Sequence, residues 1–394
     1  MNKNIFSIIT GAAFLMATSS IGPGFLTQTA YFTEIHKSAF AFAIITSILI
    51  DIIIQLNIWQ ILSITKLRAQ DLANKIIPYS GYLISLMIII GGFAFNIANI
   101  GGAALGINVI FGTDLITGSI ISALIAVLIF IKKEMGNILD HFARTLGIVM
   151  IIMVIYVLFK TKPPVVLTFK EIIQPSEINF LTILTIVGGT VGGYISFAGA
   201  HRIIDAKLVG IKYLKTIRIG AINGIIITGL MRYLLFLAFL GIVVTGISLD
   251  PENPPASAFK YGMGTIGYKI FGIILWCASI TSIVGSAYTS ISFIKTYSKK
   301  IFSFENYFII AFILLSLSMF IFIGKPVKLL IFAGSINALV LPITLFIILL
   351  SVFNKNIFNG YKHSKILTIA GFIMIFFIGW MGIKNFIQIF DILK

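Results

Sequence analysis

Ile21-Gly22-Pro23-Gly24-Phe25 lies inside an apolar run that extends from about Ile5 to Phe32. Two glycines around a proline interrupt a helix, because proline has no amide hydrogen and clashes with the preceding turn, while glycine pays the largest backbone entropy. In a bilayer the freed backbone groups need partners from protein, water or a bound solute, so a break at mid-depth lines a cavity. An interrupted first helix points to a transporter-type bundle with its site at the break.

Composition carries the membrane assignment outward from that stretch. Mean hydropathy is +1.07, and 58% of residues are hydrophobic against 11% charged, more apolar surface than a soluble domain can hide. A hydrocarbon core of about 30 Å needs about 20 apolar residues. Eleven stretches of the chain are read as spans on this basis. They run near 6–31, 38–63, 79–110, 114–131, 143–160, 179–201, 216–247, 262–294, 306–323, 327–353 and 366–390. The expected class is an all-α integral membrane protein forming one transmembrane domain.

Lys and Arg concentrate in alternate loops, among them those holding Lys66, Arg68 and Lys75, and Arg202, Lys207, Lys212, Lys215 and Arg218. Positive charge resists translocation, so these loops read as cytoplasmic, with the N-terminus inside and the C-terminus outside. The net charge of +16 is thereby assigned to topology and to anionic lipid headgroups, and no nucleic-acid partner is inferred. Lys3 before an apolar stretch and Ala17-Thr18-Ser19-Ser20 imitate a signal peptide, but the apolar run continues past them, so the segment is read as a mature helix. Absence of targeting signals and Ile- and Lys-rich usage suggest a bacterial plasma membrane. The segments 161–178 and 248–260 read as external loops from their prolines.

Catalysis has little support in the chain. Cys277 is the single cysteine, and His36, His141, His201 and His363 show no metal-site spacing. No enzyme activity and no cofactor are expected.

Five spans after the first break comes Gly188-Gly189-Thr190-Val191-Gly192-Gly193, followed by Phe197-Ala198-Gly199-Ala200-His201-Arg202. Interruptions in matching spans of two five-helix halves are the signature of an inverted-repeat transporter with a midplane site. The first repeat is placed at about 6–160, the second at about 179–353, and an extra helix at about 366–390. Gly101-Gly102-Ala103-Ala104 is read as helix packing alone.

These residues resemble the Nramp family of divalent-metal transporters, whose LeuT-type fold has two inverted five-helix repeats. Gly22-Pro23-Gly24-Phe25 stands where the family has Asp-Pro-Gly-Asn, and Gly199-Ala200-His201 where it has Met-Pro-His. Gln55 followed by Gln70-Asp71-Leu72-Ala73 matches its second helix and following loop, and Asn108-Val109-Ile110-Phe111-Gly112 resembles the end of its third helix. The resemblance implies alternating-access transport, with manganese, iron or magnesium as the default cargo. Its side-chain ligands correspond here to Gly22, Phe25 and Gly199, and the acidic proton carriers of its third helix to Asn96 and Asn99. The metal ligands are therefore unknown.

An organic cargo fits the same break with opposite sign. Amide groups at the start of the half-helix after Gly24 suit a carboxylate, with Phe25, Thr27 and Gln28 as wall and hydrogen-bonding groups. Substrate-binding candidates are thus Gly22, Pro23, Gly24, Phe25, Gln28, Ala198 and Gly199, for a metal ion or for a small amino-acid-like or carboxylate solute. A scaffold without transport is the third alternative.

Intramembrane charge is expensive and marks function by default, which singles out Asp51 and Arg232 as coupling or contact residues, or as a structural pair. The coupling ion would be a proton or sodium. Asn96, Asn99 and His201 complete the coupling or gating candidates, His201 with Arg202 and Asp205 closing the sixth span. Ser196, Ser335 and Asn337 are cavity-facing or helix-bridging polar residues without an assigned role. Trp59, Trp276 and Trp380 read as lipid-facing or interfacial.

Overall fold

The structure, a computed structural model, describes residues 20–358 and 360–394, with the backbone alone for 133–144. The expected start of the first span at 6–19, including the signal-like Ala17-Thr18-Ser19, lies outside the described residues. Every regular element among the described residues is helical.

Helix α1 (Pro23–His36) starts at the break itself. Gly22 caps it in an extended conformation, and Pro23 occupies the first turn, where its missing amide hydrogen has no cost. A 3-10 turn at Lys37–Ala39 leads into α2 (Phe40–Thr65), which is followed by the short α3 (Ala69–Ile76) and the long α4 (Ser80–Phe111). Next come α5 (Leu115–Ile131), capped by the Asp114 carboxylate accepting from the Thr117 amide at 2.9 Å, and α6 (Lys133–Thr161). The sixth span is two helices, α8 (Phe180–Val191) and α9 (Ile195–Asp205), preceded by α7 (Val165–Ile173). The chain ends with α10 (Leu214–Val243), α11 (Pro254–Ser292), α12 (Lys299–Ser303), α13 (Glu305–Ile323), α14 (Pro326–Leu350), α15 (Lys365–Lys384) and α16 (Phe386–Asp391).

By length and apolarity eight helices among the described residues qualify as membrane spans, or nine when the bent pair Thr145–Thr161 and Val165–Ile173 counts as one. The eleven expected spans are recovered once two facts are added. Pro23–Thr65 holds the remainder of the first span together with the second, and Leu115–Ile131 is an apolar helix of 17 residues.

Three boundaries differ from expectation. The segment 161–178 is not a plain loop: Val165 to Ile173 form α7, turned by 102° from α6, and its hydroxyl and carboxylate find partners there. Thr168 Oγ1 pairs with the Tyr233 hydroxyl at 2.9 Å, and Glu171 accepts from the Ser176 amide at 2.7 Å. Pro254 and Pro255 do not belong to the loop before α11 but open that helix, where proline is tolerated. The last span is divided near Asn385, whose side-chain amide donates to the Met381 carbonyl at 2.7 Å.

In lipid, helices gain little from excluding apolar surface, so close approach and hydrogen bonding hold the bundle. The most extensive contact is between α4 and α11, and α14 packs on both α4 and α8. Gly102 on α4 lies against Pro23 and Ser279, and Gly101 against Phe320 and Pro326, in keeping with a packing role for that run. On the opposite side α10 packs along α2 and against α1. Helix α11 kinks at Gly264, which has a φ of 72°. Lys160 Nζ takes up the nearby Gly262 carbonyl at 2.9 Å.

Candidate functional site

The two interruptions meet across the bundle. Ser20, just before the first break, donates to the Thr190 carbonyl at 2.8 Å, just before the second. The second break is Gly192-Gly193-Tyr194: Gly192 is extended and Gly193 has a φ of 54°, the left-handed region that favours glycine. Gly188 to Val191, expected as part of the irregular segment, are still helical because α8 extends through Val191. Ala198 and Gly199 lie within α9, past the break, and both are buried.

The chemistry sits at the first break. Phe25 and Arg232 are both fully buried, and the guanidinium lies 4.2 Å from the centre of the Phe25 ring. A cation over an aromatic face is attracted by the ring quadrupole, by about 2 kcal/mol or more when desolvated. One terminal nitrogen of Arg232 donates to the Ile186 carbonyl on α8 at 3.3 Å. Its Nε and other terminal nitrogen have no partner. Thus α1, α8 and α10 converge on a permanent positive charge with spare donors, at the position where the family pattern has a metal-ligating Asn.

Asp51 on α2 is equally buried and its Oδ1 is without a partner. Asp51 and Arg232 are near enough to attract one another but form no direct ion pair. Four residues on, along the same face of α2, neither amide atom of Gln55 has a partner. Gln28, on the Phe25 face of α1, donates to the Leu330 carbonyl at 2.9 Å and leaves its Oε1 free; the Thr27 hydroxyl is also unpartnered. Buried polar atoms without partners are costly, so this many on α1, α2 and α10 mark the first break as the candidate site for something polar. Among the described residues no three His, Cys, Asp or Glu come together as a metal site.

The remaining candidates lie apart. Asn96 donates to the Ile283 carbonyl and the Ser286 hydroxyl, both at 2.8 Å, bridging α4 to α11; Asn99 is buried with its amide nitrogen unpartnered. His201 is wedged beside Phe293, with ring centres 4.9 Å apart, and neither ring nitrogen has a partner. Nearby, Arg68 pairs with Asp205 at the end of α9, while the Thr296 hydroxyl accepts from Gln70 and donates to Asp71. Burial holds the Asp71 carboxyl above its ordinary range, more than the Thr296 hydrogen bond and nearby Arg68 and Lys75 lower it. His363 donates to Asn57 at 3.1 Å; burial, then the Arg218 charge, push its imidazole down to about 4.

Two residues left without a role turn out to fix the second break. Trp59, expected at the lipid or interface, is 1% exposed, and its indole donates to the Ser196 carbonyl at 3.0 Å at the start of α9. An indole N–H without water needs such an acceptor, which is why the ring turned inward. Asn337 donates to the Gly91 and Ala333 carbonyls at 2.9 and 2.8 Å and presses its oxygen against Gly193. No local pattern marks either role, since each partner is far away in the chain.

The model of natural resistance-associated macrophage protein-like (Nramp) proteins matches residues 13–388. An uncharacterized membrane protein of Bacillus subtilis, YcsG, is 48% identical over 378 residues, covering 96% of this chain and 94% of its own. An uncharacterized membrane protein of Haemophilus influenzae is 46% identical over 380 residues, covering 96% of each. Crystal structures of the Eremococcus coleocola manganese transporter superpose with TM-scores of 0.75, in complex with an aromatic bis-isothiourea substituted compound, and 0.73, as a mutant. They share 12% sequence identity and cover 98% of this chain, and 87% and 88% of the respective transporter chains, so they establish a common fold.

Proposed function

The chain belongs to the Nramp family, and from that premise we propose that it is an alternating-access transporter carrying a small carboxylate-bearing solute past Arg232. The observation that carries the reading is the buried guanidinium on Phe25 with two nitrogens unpartnered. A carboxylate would satisfy those donors in the paired geometry guanidinium favours. The half-helix start at Pro23 adds partial positive charge from the same side.

Rocking of one five-helix repeat, about 6–160, against the other, about 179–353, would expose the break alternately to each face. The Arg68–Asp205 pair and the His201–Phe293 contact are the candidate gate on the face read as cytoplasmic. The setting is a bacterial plasma membrane with the N-terminus inside, and the coupling ion is a proton or sodium.

A divalent cation is the second reading, supported by family membership and by the likeness to a manganese transporter. Asp51 would be its carboxylate ligand. Against it stands electrostatics: a bare divalent ion already faces a large desolvation cost, and a permanent cation at the break raises it.

Thermal unfolding of the purified protein decides between them. A ligand that binds only the folded state at 100 times its Kd adds about 2.7 kcal/mol of apparent stability. Saturable stabilisation by carboxylates, lost in Arg232→Gln, is expected. Saturable stabilisation by manganese, lost in Asp51→Asn and with no response to carboxylates, would replace this reading by the cation one.

A further inference from the structure

Asp51 and Arg232 are buried on two helices that pack along one another, yet they do not close into an ion pair. A pair serving only to hold the bundle would be expected to do so, because only close contact repays the desolvation of two buried charges, and a buried carboxyl held apart from its cation costs less uncharged. Along α1, α2 and α10 the unsatisfied atoms form a mixed set. Gln28 Oε1, Gln55 Oε1 and Asp51 Oδ1 are acceptors; Gln55 Nε2, the Thr27 hydroxyl and the two Arg232 nitrogens are donors. The Gln28 assignment is fixed, since its nitrogen is already committed to the Leu330 carbonyl.

Charge counting then separates the classes of carboxylate. One carboxylate on the guanidinium makes a neutral complex from two buried charges. An α-amino acid seated the same way carries its ammonium on the adjacent carbon, beside the guanidinium, and is balanced only if Asp51 is also ionised. That places four charges inside the bundle. A dicarboxylate brings a second negative charge, and no other cationic side chain among the described residues is buried at the Phe25–Arg232 contact. Each added intramembrane charge costs several kcal/mol. The uncharged donors and acceptors, in contrast, suit a hydroxyl, carbonyl or amide.

We propose that the cargo is a monocarboxylate whose remaining part is uncharged and hydrogen-bonding, with Arg232 holding the carboxylate and Gln28 and Gln55 reading the body. Amino-acid zwitterions and dicarboxylates are refused. This rests on the carboxylate reading above.

The test uses the full-length wild-type protein and probes of matched shape. Lactate and alanine differ at one substituent, hydroxyl against ammonium; malate adds a second carboxylate to lactate, and N-acetylglycine offers an amide body. Apparent Kd is read from the concentration dependence of the unfolding midpoint. Lactate or N-acetylglycine is expected to bind at least tenfold tighter than alanine and malate, and Asp51→Asn to keep that order. Equal or tighter binding of alanine or malate overturns the class while leaving a carboxylate transporter. Failure of all four probes overturns the carboxylate reading itself.

Discussion

The two interruptions are alike in sequence and unlike in what surrounds them. At the second, the left-handed Gly193 is clamped by Asn337, and Trp59 pins the first turn of the half-helix that follows. At the first, Gly22 is extended, and the neighbouring Arg232, Gln28, Thr27 and Ser282 all retain unpartnered atoms. The Asn337 oxygen is also unpartnered, but the donors at the second break, Asn337 Nδ2 and the Trp59 indole, are taken up by protein carbonyls, whereas at the first a buried guanidinium keeps two donors for a solute to complete. On the proposed reading, one interruption holds shape and the other holds cargo.

The largest expected effect comes from Gly193→Ala. The left-handed backbone costs an alanine about 1–2 kcal/mol. Its Cβ would also clash with the Asn337 oxygen, forcing that side chain off its two carbonyl acceptors. The sum is a loss of about 4 kcal/mol, read as a large drop in melting temperature with no ligand present. A wild-type melt would show that the second break is not locked.

Next is Arg232→Gln, which should act on ligand and not on shape. Truncating one side of a buried charge contact costs about 3 kcal/mol, or about 100-fold in affinity for a stabilising carboxylate. Transport of that solute in proteoliposomes should fall alongside, while Arg232→Lys keeps part of the affinity through its charge. Equal affinity in Arg232→Gln would remove the cargo role from the first break.

Legibility in the sequence followed the same division. Hydropathy reveals the spans because burial in lipid acts on every residue of a span, and Gly22-Pro23-Gly24 announces a break because the cause is local. Asp51 and Arg232 stand out from their cost alone. What no local pattern contains is the partner. Phe25 reads as a hydrophobic substitution of a ligand until α10 brings Arg232 onto its ring. Asn337 and Trp59 read as ordinary polar and interfacial residues until α14 and α2 place them at the second break. Prolines misled at 248–260 because the first turn of a helix and a loop accept them equally.

A smaller effect is expected from Trp59→Phe, which keeps the buried ring and removes the donor to the Ser196 carbonyl. Losing one hydrogen bond costs about 1 kcal/mol. Because the loss falls at the second break, melting temperature should drop slightly while carboxylate affinity holds. A change in affinity without a change in melting would show that the two breaks share one task.

The smallest is Gly22→Ala, the same chemical change as Gly193→Ala made at the other break. Gly22 has φ −101° and ψ −171°, a conformation alanine adopts without strain. Among the described residues its added Cβ would meet only the Ser282 side chain, whose hydroxyl at 2.9 Å has no hydrogen bond to lose by turning away. Replacing glycine by alanine at a helix start costs a few tenths to about 1 kcal/mol. The apo protein should therefore melt near the wild type. The methyl group does occupy the break, so the concentration of carboxylate needed for half-maximal transport should rise before stability changes. A melt as damaged as that of Gly193→Ala would mean that the first break is also a packed corner, and the contrast between the two would be lost.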